Sequence, residues 1–441
     1  MRFWCILTNI SNFSYIYSVA SIVIIGGGAA GCFCAAVLSE LHPDWSISVL
    51  EAGARPMAKL AVTGGGRCNL TNTFEGIDNL AKAYPRGDKF MRKVLGRFGW
   101  QDTCRWFEDY GVRLVTQDDH CIFPASQDAM QIVRTLERVM RQGGVKVLCN
   151  CKIDSIGNDL SVISTGANPF VISTESGPSV ISTGAKRSGE IPLPPSAVVL
   201  TTGGGTASIL NGTGTEIIPP VPSLFTFKIA DEGLRSLMGT VVDNVTLGLA
   251  GTRFRSNGTL LLTDWGVSGP ATLKLSSYAA RHLAESQYRG TLLVDWTGGG
   301  EAAARQIIDG QMKSAPGKMI TNSHPEQLTD RLWRHLVRRA GIREDARWAE
   351  LGSKGLARLV NILISDSYEI TGRARFKEEF VTCGGVSLNE VSPETMQSRR
   401  IPGLYFAGEV LDIDAVTGGF NLQAAWSTAW TAAQAISASL R

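Results

Sequence analysis

The chain has 441 residues, 44% of them hydrophobic and 19% charged, which is material for more than one compact core and excludes intrinsic disorder. Forty-three basic residues against forty acidic ones leave a net charge of +3, too even a balance to point to nucleic acid or an anionic membrane as partner. The 48 glycines gather in short runs without a collagen period, as expected where a ligand closely approaches backbone.

In chain order, residues 1–20 read as an N-terminal extension rather than a signal peptide, because Asn and Ser interrupt its apolar run and a strand follows at once. Residues 22–26 (IVIIG) predict a buried strand, 29–41 a small-residue helix and 46–51 a second strand, the β-α-β opening of a doubly wound sheet. Helices follow over 88–98 and 100–110, then a hairpin over 112–123, a helix over 127–142 capped by Ser126, and a strand over 145–153. Val-Ile-Ser-Thr recurs at 162, 171 and 180; copies this short and few favour a tandem expansion of a loop within 162–188 over a solenoid. A buried strand returns over 197–205. After Pro219, Pro220 and Pro222 come strand-like segments at 223–230, 239–249, 253–264 and 290–296. Residues 301–365 read as helical, 366–383 as strand, 403–408 as strand, and a long helix follows Asn421. The pattern divides into a first domain over 21–218 and 384–441, a strand-rich domain over 219–300 and 366–383, and a helical insert over 301–365.

The nine cysteines form no CxxC and no pair at zinc spacing. That argues against a disulfide framework and a metal site, and for a reducing, cytoplasmic setting. No apolar run reaches the ~18 residues that a membrane span needs.

Three motifs carry chemistry. Gly26, Gly28 and Gly31, with Ala29 and Ala30 before the last, leave the first strand and open the first helix. The first glycine permits the tight turn, the second lets backbone approach a pyrophosphate, and the third lets helix pack on strand. The helix end offers free N–H groups and a positive dipole to the phosphate. Glu51, with Ala52 beside it, ends the second strand twenty residues past Gly31, where a carboxylate accepts from an adenosine ribose hydroxyl. An acid there favours FAD or NAD over NADP; the competing reading is a glycine-rich turn that serves packing alone. TGGGRCNLTN (63–72) places Gly66, Arg67, Cys68, Asn69, Thr71 and Asn72 in a loop able to cradle a phosphate or the polar edge of a heterocycle, or to serve as an ordinary capped turn. With no second cysteine beside it, Cys68 reads as a packing or positioning residue before a redox thiol. In GLYFAGEVLDIDAVTGGFNLQAAW (403–426), Asp412 is placed for a cofactor's sugar or ribityl hydroxyl. The helix start at Phe420, Asn421, Leu422 and Gln423 aims N–H groups at a developing anion, such as a reduced flavin carries.

IVIIGGGAAG, TGGGRCNLTN, FVTCGGVSLNEV (380–391) and the 403–426 block together resemble the family of FAD-binding flavoproteins that includes BaiN and aminoacetone-oxidase-like proteins. The resemblance runs from about Ser21 to the C-terminus, broken at the repeat. It implies an α/β fold in which both chain ends form a Rossmann-like FAD-binding domain, interrupted by a β-barrel domain and a helical insert. It assigns Gly26, Gly28 and Gly31 to the FAD pyrophosphate and Glu51 to the ribose. Lys59, Arg67, Cys68 and Asn69 fall in the flavin-proximal loop. Gly408, Glu409 and Asp412 fall at the ribityl and pyrophosphate region, Gly419, Phe420, Asn421, Leu422 and Gln423 at the isoalloxazine edge, and Gly203 counts among the cofactor-binding residues. Ile153 matches the strand that touches adenine. Two departures stand out: no longer glycine-rich GSTGDG-like loop follows Gly203, and HCIFP (120–124) has Cys121 where a GRVFP-type string carries Arg.

The resulting expectation is an FAD-dependent oxidoreductase that passes a hydride between flavin and a small-molecule substrate. No second GxGxxG in the right context predicts a nicotinamide domain, so NADH or NADPH would dock against the flavin as a diffusible donor, or oxygen would reoxidise it, which leaves reductase and oxidase both open. No partner nucleic acid or membrane is expected, and no general acid or base is assigned, because the five histidines fall in none of the motifs. Two rival classes are a flavin-linked RNA-modifying protein gripping phosphate through Arg331, Arg334, Arg338, Arg339 and Arg343, and a non-catalytic flavin-binding protein.

Overall fold

The computed structural model describes residues 20–160, 162–163, 171–172, 195–204, 207–374 and 381–440. The readings for residues 1–19, and for most of the 162–188 repeat, lie outside them. Strand β1 (Ser21–Ile25), helix α1 (Ala29–Leu41) and strand β2 (Ser46–Leu50) form the predicted β-α-β start. The sheet is parallel throughout, in the order Leu404–Phe406, Ala197–Leu200, β1, β2, Lys146–Leu148. Ile22 to Ile25 and Val198 to Leu200 are almost fully buried, the continuous apolar run of strands covered on both faces. One cover is α1 against the C-terminal helix Phe420–Ser439. Small residues (Ala35, Ala36, Ala425, Ala429, Ala432) let the two approach closely, and Phe33 meets the Trp426 ring with centroids 5.2 Å apart.

The second unit is a closed six-stranded barrel ordered Phe227–Ile229, Gly266–Ser268, Arg255–Leu262, Val241–Leu249, Gly290–Asp295, Asp366–Arg373. Burial alternates along Asp366–Ile370, so Asp366, Tyr368 and Ile370 point inward, as a one-sided strand requires. Helices Gly300–Ser314, Asp330–Arg339 and Gly352–Ser365 occupy the connection between the last two barrel strands and share the barrel's apolar core. Where the chain passes between sheet and barrel, its two crossings pair with each other, Ile217–Ser223 antiparallel to Val381–Val386.

Some boundaries differ from the sequence expectation, each for a local reason. The helix expected over 127–142 begins at Ala129, capped by Asp128, whose Oδ1 accepts from Met130 N at 2.9 Å; Ser126 lies upstream, its Oγ accepting from Asp128 N. The strand expected over 145–153 ends at Leu148. There Cys151 N turns back to the Glu51 carbonyl through Asn150, at φ 55°. The strand expected over 197–205 ends at Leu200, and the single stretch expected over 366–383 is two strands, Asp366–Arg373 in the barrel and Val381–Val386 outside it.

A buried polar network ties the helical insert to the barrel. Asp366 is fully buried, its Oδ1 accepting from Arg339 at 2.7 and 2.8 Å, its Oδ2 from Trp296 Nε1 at 3.2 Å and from the Tyr368 hydroxyl. Arg339 also donates to Asp231 at 2.9 Å and to the Ser367 carbonyl. Removing one partner from such a set leaves an uncompensated buried charge. Arg339→Met is therefore expected to lower unfolding free energy by about 3–5 kcal/mol, read from urea denaturation; a loss below about 1 kcal/mol would mean the network adds little.

Candidate functional site

A cleft of about 1510 Å³ runs from the C-terminal edge of the parallel sheet to the wall of the barrel. Its first end is the turn after β1. Gly26 lies at φ 107°, and a Cβ at Gly31 would stand 2.0 Å from the Gly26 carbonyl oxygen, so only glycine lets α1 start this close to the strand. A Cβ at Gly28 would meet nothing, which leaves that backbone open to a ligand. The first intrahelical bond is Cys32 N to Gly28 O at 3.0 Å, so the N–H groups of Ala29, Ala30 and Gly31 have no intrahelical acceptor. Thr201, absent from the sequence reading, braces the turn by donating its hydroxyl to Gly26 O at 2.7 Å.

Glu51 closes this end. Its carboxylate accepts from Gly27 N at 2.7 Å and Gly53 N at 2.6 Å, and each oxygen keeps lone-pair capacity for a ligand hydroxyl. Glu409 stands across the cleft, with Oε1 accepting from Thr382 N at 2.7 Å and Oε2 3.9 Å from Lys59 Nζ. Burial pushes the Glu409 carboxyl above its ordinary range, and Lys59 opposes the shift.

The middle of the cleft is the second helix end. Gly418 and Gly419 lie at φ 128° and 87°, and a Cβ at Gly419 would stand 2.4 Å from the Thr71 carbonyl oxygen. Gln423 N donates to Gly419 O at 3.0 Å, leaving the N–H groups of Phe420, Asn421 and Leu422 without intrahelical acceptors. The 63–72 loop holds this end in place. Asn72 Nδ2 donates to Gly418 O at 3.0 Å, and the Asn69 amide, oriented by its hydrogen-bond network, accepts from Gly419 N at 3.2 Å. Asn421 pins its own approach with two bonds to Ala415, at 2.9 and 3.0 Å. Two helix N-termini and a carboxylate at the end of β2 thus line one cleft, and this donor and acceptor set fits a flavin dinucleotide.

Of the residues singled out from sequence, Gly26, Gly28, Ala29, Ala30, Glu51, Lys59, Arg67, Asn69, Gly203, Gly408, Glu409, Gly419, Phe420, Asn421 and Leu422 line the cleft. Gly31, Ala52, Gly66, Cys68, Ile153, Asp412 and Gln423 do not. Gly31 serves close packing, Gly66 continues a left-handed run from Gly64 to Gly66, and Ile153 is buried. Gln423 is a core hub, not a cleft residue: its Oε1 accepts from Thr71 at 2.5 Å and Thr103 at 3.0 Å, and its Nε2 donates to Ser427 at 2.8 Å. Asp412, expected at a cofactor hydroxyl, has its carboxylate turned to Arg281, with contacts of 2.7 and 2.8 Å. Cys68 is wholly buried at φ 61°, and burial pushes its thiol up to about 12, against redox work and for packing.

The barrel side of the far end of the cleft had no sequence signal, because its residues come from segments distant along the chain; on the other side the sequence had marked only the departure at Cys121. Arg255 to Thr259, Pro270, Lys274 and Tyr278 of the barrel unit face Gln117, Asp119, His120, Cys121 and Phe123 of the hairpin. Arg67 lies over the Phe123 ring at 4.7 Å, and His120 Nδ1 is 3.5 Å from Glu75. The five arginines of 331–343 are engaged within the chain: Arg331 with the Ser236 carbonyl, Arg334 with Asp330, Arg338 and Arg343 with neighbouring acids, and Arg339 with Asp231 and Asp366.

A family profile described as HI0933-like protein Rossmann domain matches residues 20–435. The chain is 28% identical over 433 residues to a 3-dehydro-bile acid delta(4,6)-reductase of Clostridium scindens, covering 93% of this chain and 98% of that one. It is 29% identical over 433 residues to a ribosomal RNA dihydrouridine synthase of Escherichia coli, covering 93% and 96%. Among solved structures, a 3-ketosteroid delta1-dehydrogenase of Sterolibacterium denitrificans aligns with a TM-score of 0.45 at 13% identity, covering 96% of this chain and 100% of that one.

Burial disfavours the Cys68 thiolate and keeps the sulfur from solvent. Iodoacetamide at pH 8 is expected to leave Cys68 unmodified in the folded protein and to label it after unfolding, read by peptide mass mapping. Rapid labelling of the native protein would contradict its burial.

Proposed function

The chain belongs to the HI0933-like Rossmann family, and we infer that it is an FAD-dependent oxidoreductase that passes a hydride between flavin and a small organic substrate, with NADH or NADPH as diffusible donor. The observation that carries this reading is the single cleft onto which two helix N-termini open, bounded by Glu51 at one end and the barrel at the other. Bound there, FAD supplies the hydride chemistry. Glu51 takes the ribose hydroxyls, and the open backbone at Gly28 to Ala30 faces the pyrophosphate. The N–H groups of Phe420, Asn421 and Leu422 stabilise negative charge in a site that needs no rearrangement to do so. Glu409 accepts from the ribityl chain.

The activities for which these two relatives are named share one transformation. A delta(4,6)-reductase acting on a 3-dehydro ring and a synthase that makes dihydrouridine both saturate a carbon–carbon double bond conjugated to a ring carbonyl. A cyclic unsaturated carbonyl is accordingly the substrate class proposed here. The second reading, a uracil ring within RNA, has the name and full-length match of the Escherichia coli relative in its favour. Arg339 is committed to Asp231 and Asp366 inside the fold, which removes one of the five arginines of 331–343 from a grip on phosphate.

The direct test is the visible spectrum of the purified protein, repeated anaerobically with NADH or NADPH, then with a cyclic enone or ribosomal RNA lacking dihydrouridine. Flavin bands that bleach with one nicotinamide and return with the enone support the reading. Return with RNA alone selects the second one, and a protein that refuses added FAD sinks both.

Glu409 supplies a separate prediction. Its raised pKa means the fold disfavours the ionised carboxylate, so its stability contribution is full below the ordinary carboxylate range and is lost as pH rises through its raised folded pKa. Glu409→Gln keeps the acceptor for Thr382 N and removes the charge. It is expected to raise the Tm of the apoprotein at pH 8 while weakening FAD binding by about tenfold, checked by thermal scans and FAD titration. A lower Tm would overturn the assignment of a desolvated charge.

A further inference from the structure

The segment Asp412–Asp414 immediately precedes the turn that sets the second helix end, and both its carboxylates are bonded to arginines. Arg281 Nη2 donates to the two Asp412 oxygens at 2.7 and 2.8 Å from the short helix Ala280–Glu285 of the barrel unit. Asp414, fully buried, accepts from Arg86 through Nε at 2.6 Å and through Nη2, and from Ser223 Oγ at 2.9 Å. Arg86 Nη1 passes the connection on to the Ser277 carbonyl at 2.7 Å. Ser277 lies in the last turn of helix Pro270–Tyr278, which carries Lys274 and Tyr278 on the cleft wall. Tyr278 adds a bond from its hydroxyl to the Lys82 carbonyl at 3.0 Å. On the other side, Val416 N donates to Ala83 O at 2.9 Å, and Asn421 clasps Ala415. Short polar bonds, joined by the backbone from Asp414 to Ala415, thus run from the barrel wall to the helix end at Phe420.

We propose that Asp412 and Asp414 form a two-point latch, through Arg281 and Arg86, that fixes the barrel wall of the cleft against the helix end at Phe420, so that Asp412 is a positioning residue and not a cofactor ligand. One contact would act as a pivot; two contacts, one at Arg281 in the helix Ala280–Glu285 and one through Arg86 to Ser277 in the helix Pro270–Tyr278, oppose rotation of the wall about either. The wall needs such restraint because a shift of about 1 Å between substrate and reacting group can cost a hundredfold in rate. The latch acts on the cleft read above as the FAD site, and it rests on that reading only for its consequence, not for its geometry.

The test uses the full-length protein and leaves the buried Arg86–Asp414 pair intact. Asp412→Asn, Arg281→Gln and the charge-swapped R281D/D412R are compared by hydrogen–deuterium exchange over 270–285, by FAD titration, and by the visible circular dichroism of the bound flavin. Each single variant is expected to speed exchange over 270–285 by about tenfold, leave FAD affinity within about threefold and alter the circular dichroism, with the swap restoring all three toward wild type. Loss of FAD binding in Asp412→Asn but not in Arg281→Gln would overturn the latch in favour of a cofactor ligand. Unchanged exchange in both single variants, or no recovery in the swap, would overturn it as well. Failure of the wild-type protein to bind FAD would sink the cofactor reading, while the exchange comparison would still judge the latch.

Discussion

Parallel pairing of Leu404–Phe406 with Ala197–Leu200, beside β1, is the constraint on which the site depends. Parallel strands all end at one edge of the sheet, so the helix that follows each begins there. β1 leads into α1, and Leu404–Phe406 leads, through a connection of thirteen residues, into the helix at Phe420. The sheet order changes direction at β1, with β2 on one side and Ala197–Leu200 on the other, which opens a crevice at that edge. Two helix N-termini at one crevice concentrate unpaired N–H groups and positive dipole ends where an anionic dinucleotide fits.

The barrel has a different task. Its strands make a closed, well-packed body with no open edge, and it faces the crevice with the strand Arg255–Leu262, the helix Pro270–Tyr278 and Leu224. Such a body can define a substrate wall only if it is held in register with the sheet. Its attachment is polar as well as apolar: the paired crossings at Ile217–Ser223 and Val381–Val386, and the arginine–aspartate contacts at 412–414. Polar side chains around the glycine turns are thus divided between two duties. Glu51 and Glu409 face the cleft, whereas Asp412, Asp414 and Gln423 build the frame around it.

That division marks how much of the protein could be read from its chain. The β-α-β opening was legible because its requirements are local. A positive φ at Gly26 and a Cβ clash at Gly31 are properties of a few consecutive residues, and Glu51 follows from the length of one helix and one strand. The return of the C-terminus to the first domain was legible from the second glycine turn and the resemblance it carries. The helix cap at Asp128 in place of Ser126 shows the resolution limit of such reasoning: both residues are competent caps, and two residues of helix phase decide between them.

By itself, the sequence determined the kinds of element, their order along the chain and the glycine turns, because backbone sterics and hydrophobic period act over a few residues. Only the tertiary structure decided which face each polar side chain took and which distant segments met. Asp412 lies only three residues past Glu409, yet one faces Arg281 and the other the cleft, and no local rule separates them. The cleft wall of Arg255, Lys274, Tyr278 and His120 likewise exists only after the barrel has closed and docked, because its members are brought together by long-range packing and not by spacing.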